Sequence, residues 1–242
     1  MTLALGTIAL LVVLNIFGLI VSLRWDKHGV PAALYGQSAR RKKGALRKRL
    51  PLIGLNLALL VVLTGPALWM ISESFPLTRP DNLWLAVAQI AFIFVIDDVC
   101  FYWYHRTLHQ VPNLYQRIHK IHHKAYAPVP IEYIYAHPLE WMMGTIGPVI
   151  AVSAILAWFG ELNAWTFWIW GALRTLHELD IHSGVNGLIG HLVPFYGDMI
   201  HHDLHHARPN LGNYASTLRI WDIVYDTEID RDNVRIRAES RS

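Results

Sequence analysis

Charge disappears from this chain in long blocks. Residues 3–23 and 50–71 carry none, and neither do 83–96, where the apolar run stops at Asp97 and Asp98, or 141–159. A shorter Trp-rich block, 162–173, follows. A helix needs about 20 apolar residues to cross hydrocarbon. The blocks therefore predict four membrane helices, with the fifth block either a further span or half of a helical hairpin with the fourth. Between them the chain reads as helix and loop, with no strand alternation and no internal repeat. No basic residue precedes the first block and no small-residue cleavage site follows it, so it reads as a first span rather than a removed leader.

Composition agrees. The chain is 53% hydrophobic and 16% charged, with a mean hydropathy of +0.28, too apolar for a typical soluble domain. The net charge is only +3, yet Arg40, Arg41, Lys42, Lys43, Arg47, Lys48 and Arg49 gather just before the second block. The positive-inside rule puts that segment in the cytosol. There it suits anionic headgroups or an acidic protein, and a juxtamembrane position argues against nucleic acid. The single cysteine, Cys100, forms no internal disulfide and reads as a packing residue.

Fourteen histidines change the picture. His105-x₃-His109 is followed by His119-x₂-His122-His123, and later by His202-x₂-His205-His206. Positions i, i+3 and i+4 share a helix face, so each cluster aims two or three imidazoles at one point. Eight nitrogen ligands exceed what one tetrahedral zinc needs and suit two neighbouring metals. Threading the blocks from a cytosolic 24–49 segment puts every cluster on the same, cytosolic face. The expected architecture is all-α: a membrane bundle with a cytosolic helical cap holding a histidine-rich dimetal site. A transporter would place its ligands in mid-membrane, and a structural zinc site would not need so many.

These residues resemble the fatty acid hydroxylase superfamily, which includes sterol desaturases, methylsterol oxidases and carotenoid hydroxylases. The resemblance runs from about Asp98 to Thr227. It is carried by Asp98 with Tyr102-Trp103-x-His105-Arg106-x-x-His109, then His119-Lys120-x-His122-His123 and His137-Pro138-Leu139-Glu140. His182-Ser183-Gly184, His202-Asp203-x-His205-His206, Gly212-Asn213-Tyr214 and Trp221-Asp222 complete it. Where the family pattern has Gly-Thr, this chain has Asp226-Thr227. The resemblance divides the chain into membrane helices with a basic loop (1–97), a catalytic region (98–227) and a polar tail (228–242).

The resemblance implies a membrane oxygenase that uses a dimetal centre and dioxygen to hydroxylate a lipid, or to desaturate it or oxidise a C-methyl group. That chemistry requires a redox-active metal and so implies two iron ions; zinc binds the same imidazoles without redox activity. About ten donors are implied: His105, His109, His119, His122, His123, His202, His205 and His206, with His182 as the ninth and His177 as the tenth. Asp98 and Asp203 are expected to support the ligands from outside, ahead of Asp97, Glu140 and Glu178. His137 reads as structural, His201 points off the ligand face, and His28 and His191 stand alone. No dinucleotide fingerprint or cysteine set is present, so electrons are expected from a separate ferredoxin or cytochrome b5-type protein.

Overall fold

The computed structural model describes residues 1–31, 34, 36, 42–187 and 193–229. Arg40, Arg41, His191 and the tail beyond Ile229 lie outside the described residues. Among the described residues ten α-helices form: α1 (Thr2–His28), α2 (Leu50–Met70), α3 (Leu83–Gln110), α4 (Pro112–Leu114), α5 (Lys120–His123), α6 (Pro138–Met143), α7 (Ile146–Phe159), α8 (Ala164–Ile181), α9 (Met199–Ala207) and α10 (Ile220–Val224). Among the described residues the only β pairing is an isolated bridge between Tyr196 and Leu218, so the all-α expectation holds. Among the described residues four helical stretches are long and apolar enough to cross a membrane: α1, α2, α3, and α6 with α7.

Polar side chains set the helix starts. Asn82 accepts from the Leu85 amide at 3.1 Å to open α3, and Asn163 accepts from Trp165 at 2.9 Å to open α8; each satisfies an amide left without a helical partner. The fifth apolar block becomes just over the first half of α8, which continues through Arg174 and Glu178. Helices α7 and α8 both pack on α3, while α1 packs on α2 and α8. A Cβ on Gly147 would fall 2.7 Å from Asp97 Cα, so that glycine lets α7 approach the α3 backbone.

The bundle has two distinct ends. At one, the linker after α2 is laced to the turn before α8: Leu162 N–H donates to the Ser74 carbonyl at 2.9 Å, and Ala164 N–H to Pro76 at 3.0 Å. Leu3, Leu68, Phe75, Ile93, Ile155 and Trp170 form the core at that end. Trp69, Trp84, Trp158 and Trp165 are exposed there, as expected of an aromatic belt at a membrane interface.

At the other end, a 3₁₀ turn (Pro130–Ile134) is held among α1, α2 and α8 by polar residues buried within the apolar runs. Asn56 donates to the carbonyls of Ile134 and Ala136 at 2.8 and 2.9 Å, and Ser22 Oγ accepts from Ile131 N–H at 2.9 Å. Arg49 pairs with buried Glu132 at 2.6 Å. Every histidine of the three clusters lies at this end.

Candidate metal centre

Three short pieces of chain converge beyond the end of α3. The last turns of α3 present His105 and His109. After Pro112, α4 widens into a π-helical turn (Tyr115–His119) and tightens again into α5. That extra residue per turn, a feature common at functional sites, ends on His119, just before the α-helical turn that carries His122 and His123. Asp198 caps α9 by accepting from His201 N–H at 2.8 Å and starts the turn that presents His202, His205 and His206.

The imidazoles sort into two groups. His105, His109, His119, His123 and His205 form the first, and His122, His182, His202 and His206 the second; within each group the potential ligand atoms lie within 4.8 Å of one another. Sequence neighbours divide between them, His122 from His123 and His205 from His206. The groups abut, with the His123 and His206 ring centroids 4.9 Å apart.

The Nε2 atoms face inward. His105–His119, His119–His123, His182–His202 and His202–His206 all approach at 3.0 Å, and His109–His123 at 3.3 Å. Two nitrogens about 2.1 Å from a common ion lie roughly 3.0 Å apart at a right angle and about 3.4 Å apart at the tetrahedral angle. The observed spacings fall in that range.

Tautomers decide what these contacts are. His105 Nδ1 must donate to the Tyr214 carbonyl (2.7 Å), and His182 Nδ1 to the Glu178 carbonyl (2.8 Å), because a carbonyl only accepts. His205 and His122 do the same to Gly212 (2.8 Å) and Tyr135 (3.2 Å). His119 Nδ1 donates to Glu140 Oε1 at 2.8 Å. Each Nε2 therefore presents a lone pair. His105 and His119 point two lone pairs at each other with no proton between them, an arrangement that a cation stabilises. The buried Nε2 of His205 has no hydrogen-bond partner among the described residues. Burial also holds the rings neutral: it pushes His122 down to about 4 and puts His119, His123, His182, His202, His205 and His206 well below the ordinary 6.5. Neutral, inward-facing, pre-oriented imidazoles suit a metal ion, and each of the two groups could hold one.

The remaining candidates lie elsewhere. His177 is in neither group; its Nδ1 is 2.8 Å from the Tyr196 hydroxyl and its Nε2 3.3 Å from Ser216 Oγ. His137 caps α6, its Nδ1 accepting from Leu139 N–H at 3.1 Å. His201 Nε2 lies 3.1 Å from Asp222 Oδ2. Asp98 touches no clustered imidazole. It accepts from the Thr217 and Leu218 amides (2.9 and 3.0 Å) and from Trp221 Nε1 (2.8 Å). Asp203 is buried on α9.

Sequence reasoning gave no weight to the backbone carbonyls of Tyr135, Glu178, Gly212 and Tyr214, which no residue type marks. Asp222 shows why the Trp-Asp segment matters. It accepts from the amides of Tyr214 and Ala215, both at 2.9 Å, and so fixes the carbonyl that meets His105.

Comparison with known proteins agrees with this site. The family model described as fatty acid hydroxylase matches residues 90–227. Methylsterol monooxygenase erg25B of Aspergillus fumigatus is 36% identical over 187 residues, covering 73% of this chain and 62% of that protein. Methylsterol monooxygenase 1 of Rattus norvegicus is 39% identical over 157 residues, covering 62% and 50%. The very-long-chain aldehyde decarbonylase GL1-11 of Oryza sativa is 33% identical over 184 residues, covering 74% and 66%. The chain thus spans about half to two-thirds of the length of these relatives. No solved structure is a significant match.

Proposed function

This chain belongs to the fatty acid hydroxylase family, and from that premise we propose that it is a membrane-bound di-iron oxygenase that hydroxylates a lipid. The observation that carries the reading is the inward convergence of neutral Nε2 lone pairs in two abutting groups. Nine imidazoles, five in one group and four in the other, hold the two ions. Tyr135, Glu178, Gly212 and Tyr214 fix their tautomers through backbone carbonyls, and Glu140 through its carboxylate. Asp98 and Asp203 support the same shell indirectly, Asp98 by holding the 217–221 segment that follows Tyr214. His177 is left out of the ligand set because its ring meets Tyr196 and Ser216.

A redox-active pair such as two irons activates dioxygen toward an unactivated C–H bond, which zinc cannot do. The overall change is R–H + O₂ + 2 e⁻ + 2 H⁺ → R–OH + H₂O. The protein's part is positional. A cavity lined by imidazoles of both groups is walled by Phe101, Leu108, Ala136 and Trp141. Those residues come largely from α3 and α6, which belong to stretches long enough to span a membrane, so a lipid reaches the ligands without crossing water. The basic segment before α2 supports a cytosolic histidine end, where a ferredoxin or cytochrome b5-type protein supplies electrons.

Desaturation and C-methyl oxidation use the same scaffold. The names of the fungal and rat relatives favour a methyl carbon of a sterol-like lipid over desaturation. The test is lipid mass spectrometry of membranes with wild-type protein or His122→Ala, together with metal analysis of pure protein. The expected result is two irons per chain and a product one oxygen heavier, absent in the variant. A product lighter by two hydrogens selects the desaturase, and iron-free protein that stays inactive after iron loading ends the proposal.

A further inference from the structure

Arg49 stands apart from the basic residues around it. Lys42, Lys43, Arg47 and Lys48 are exposed, as a segment facing headgroups or a protein requires. Arg49 is turned inward: its side chain is 13% exposed, and its partner Glu132 is fully buried. The backbone that presents it is held in place. Buried Leu46 donates its N–H to Asp26 Oδ1 at 3.3 Å, and Arg49 N–H donates to the Leu46 carbonyl at 2.8 Å. Arg49 then opens α2, with Pro51 in the first turn.

The guanidinium bridges two pieces of chain that reach the metal centre. Its Nη1 donates to Glu132 Oε1 and its Nη2 to the Lys124 carbonyl, both at 2.6 Å, and its Cζ lies 5.3 Å from the centroid of the Tyr135 ring. Lys124 directly follows His122 and His123 at the end of α5, where carbonyls lack helical partners. Glu132 belongs to the 3₁₀ turn, its Oε2 accepting from Val129 N–H at 3.1 Å. That turn leads to Tyr135, whose carbonyl accepts from His122 Nδ1 at 3.2 Å. A planar fork with two donors at fixed spacing and a flat face suits this bridge, and a lysine ammonium does not.

The bridge matters because His122 and His123 serve different groups. Neighbouring residues leave a helix about 100° apart, so one rotation of α5 aims both rings. A helix of four residues does not hold itself. The His123 ring depends on that rotation most, since its Nδ1 is buried with no hydrogen-bond partner among the described residues.

We propose that Arg49 is a positioning residue for the metal centre. By clamping the Lys124 carbonyl to Glu132 it fixes the rotation of α5 against the turn that ends at Tyr135, and so sets where His122 and His123 direct their Nε2 atoms. The inference rests on the metal-centre reading. It places one support of the site in the segment before α2, outside the 90–227 stretch that carries all nine imidazoles and the family match.

A cobalt(II) titration of the metal-free full chain in nanodiscs tests it, with His122→Ala marking the binding step that belongs to the second group. Arg49→Gln is expected to weaken that step at least tenfold, the scale on which outer supports of ligating histidines act. That variant also strands the Glu132 carboxylate in the interior and lowers Tm. Two further variants separate the effects. Arg49→Lys keeps Glu132 paired without spanning to Lys124. Arg49→Met/Glu132→Gln leaves no buried charge, and its glutamine oxygen still accepts from Val129. Both are expected to regain most of the lost Tm and still bind cobalt as weakly as Arg49→Gln. In metal-free protein carrying isotope-labelled histidine, NMR is expected to show the His122 Nδ1–H exchanging with solvent at least tenfold faster in all three. Cobalt affinity that recovers together with Tm, or unchanged exchange at His122, shows that Arg49 merely balances a buried charge and overturns the proposal. Wild-type protein that binds no cobalt removes the metal-centre reading, while the exchange at His122 still decides whether Arg49 sets that ring.

Discussion

Nδ1 of His119 and Oε1 of Glu140 meet at 2.8 Å, joining the π-helical turn to α6. A carboxylate in that position fixes the tautomer of its imidazole and strengthens it as a ligand; removing such a partner typically costs 10–100-fold in metal affinity. Glu140→Ala is expected to lose iron to a chelator at concentrations at least tenfold lower than wild type, and Glu140→Gln, whose amide oxygen still accepts, is expected to lose less. Iron per chain after graded chelation, read by plasma mass spectrometry, checks this. Wild-type retention by the Ala variant would show that Glu140 does not support the metal.

The two roles assigned to α8 histidines separate in one experiment. His182→Ala removes one of four imidazoles from the second group and is expected to lower bound metal and abolish product. His177→Gln breaks contacts with Tyr196 and Ser216 and is expected to cost about 1–3 kcal/mol of stability with metal stoichiometry unchanged. Loss of an ion from His177→Gln would return that residue to the ligand set.

Acid is expected to weaken the protein in a definite window. Burial holds His122 near 4 in the folded chain, against an ordinary value of 6.5, and depresses its neighbours further. The unfolded chain therefore binds more protons throughout that interval. Stability from these neutral rings is fully present above about 6.5 and is lost as pH falls toward 4 and below. Metal-free protein is expected to show a falling Tm across that range, and metal-loaded protein to release its ions in the same direction. Thermal unfolding at stepped pH checks the first expectation and metal analysis the second; a Tm that rises on acidification contradicts both.

Two backbone positions on either side of α10 predict opposite outcomes. Gly212 has φ 146 and its added Cβ would lie 2.0 Å from the Thr227 carbonyl oxygen, so Gly212→Ala is expected to cost about 3 kcal/mol. It would also displace the Gly212 carbonyl that meets His205. Asp226 sits at φ 52, the left-handed region, where the family pattern carries glycine. Asp226→Gly is expected to gain about 0.5–1 kcal/mol. Thermal or denaturant unfolding of the two variants decides the signs.

The fold and the grouping of the clustered histidines are legible in the sequence because both rest on periodicity. Uncharged blocks marked the spans, and i, i+3, i+4 histidines marked the converging faces. His177 lies in neither group for a reason of the same kind: five residues before His182 places it about 140° around the helix, so the two rings leave the helix in different directions. Asp98 was read as a support for an imidazole because it is an acid near a cluster. Its partners, two amides and an indole, belong to a segment more than a hundred residues away that no local pattern ties to it. The carbonyls behind His105, His122, His182 and His205 could not be read at all, because every residue carries one. Asn15, Ser22 and Asn56 lie within uncharged blocks, yet they brace the turn from which the Tyr135 carbonyl reaches His122.

The sharing of imidazoles between the groups has a consequence for how the molecule is made. Four of the five rings in the first group, His105, His109, His119 and His123, come from one short stretch, whereas two of the four in the second, His202 and His206, come from α9. A nascent chain emerging from the ribosome has most of the first nest long before it owns half of the second. Loading of both ions therefore waits on the arrival of α9, and a polypeptide cut short ahead of that helix would be left half-furnished, however well its membrane helices had inserted.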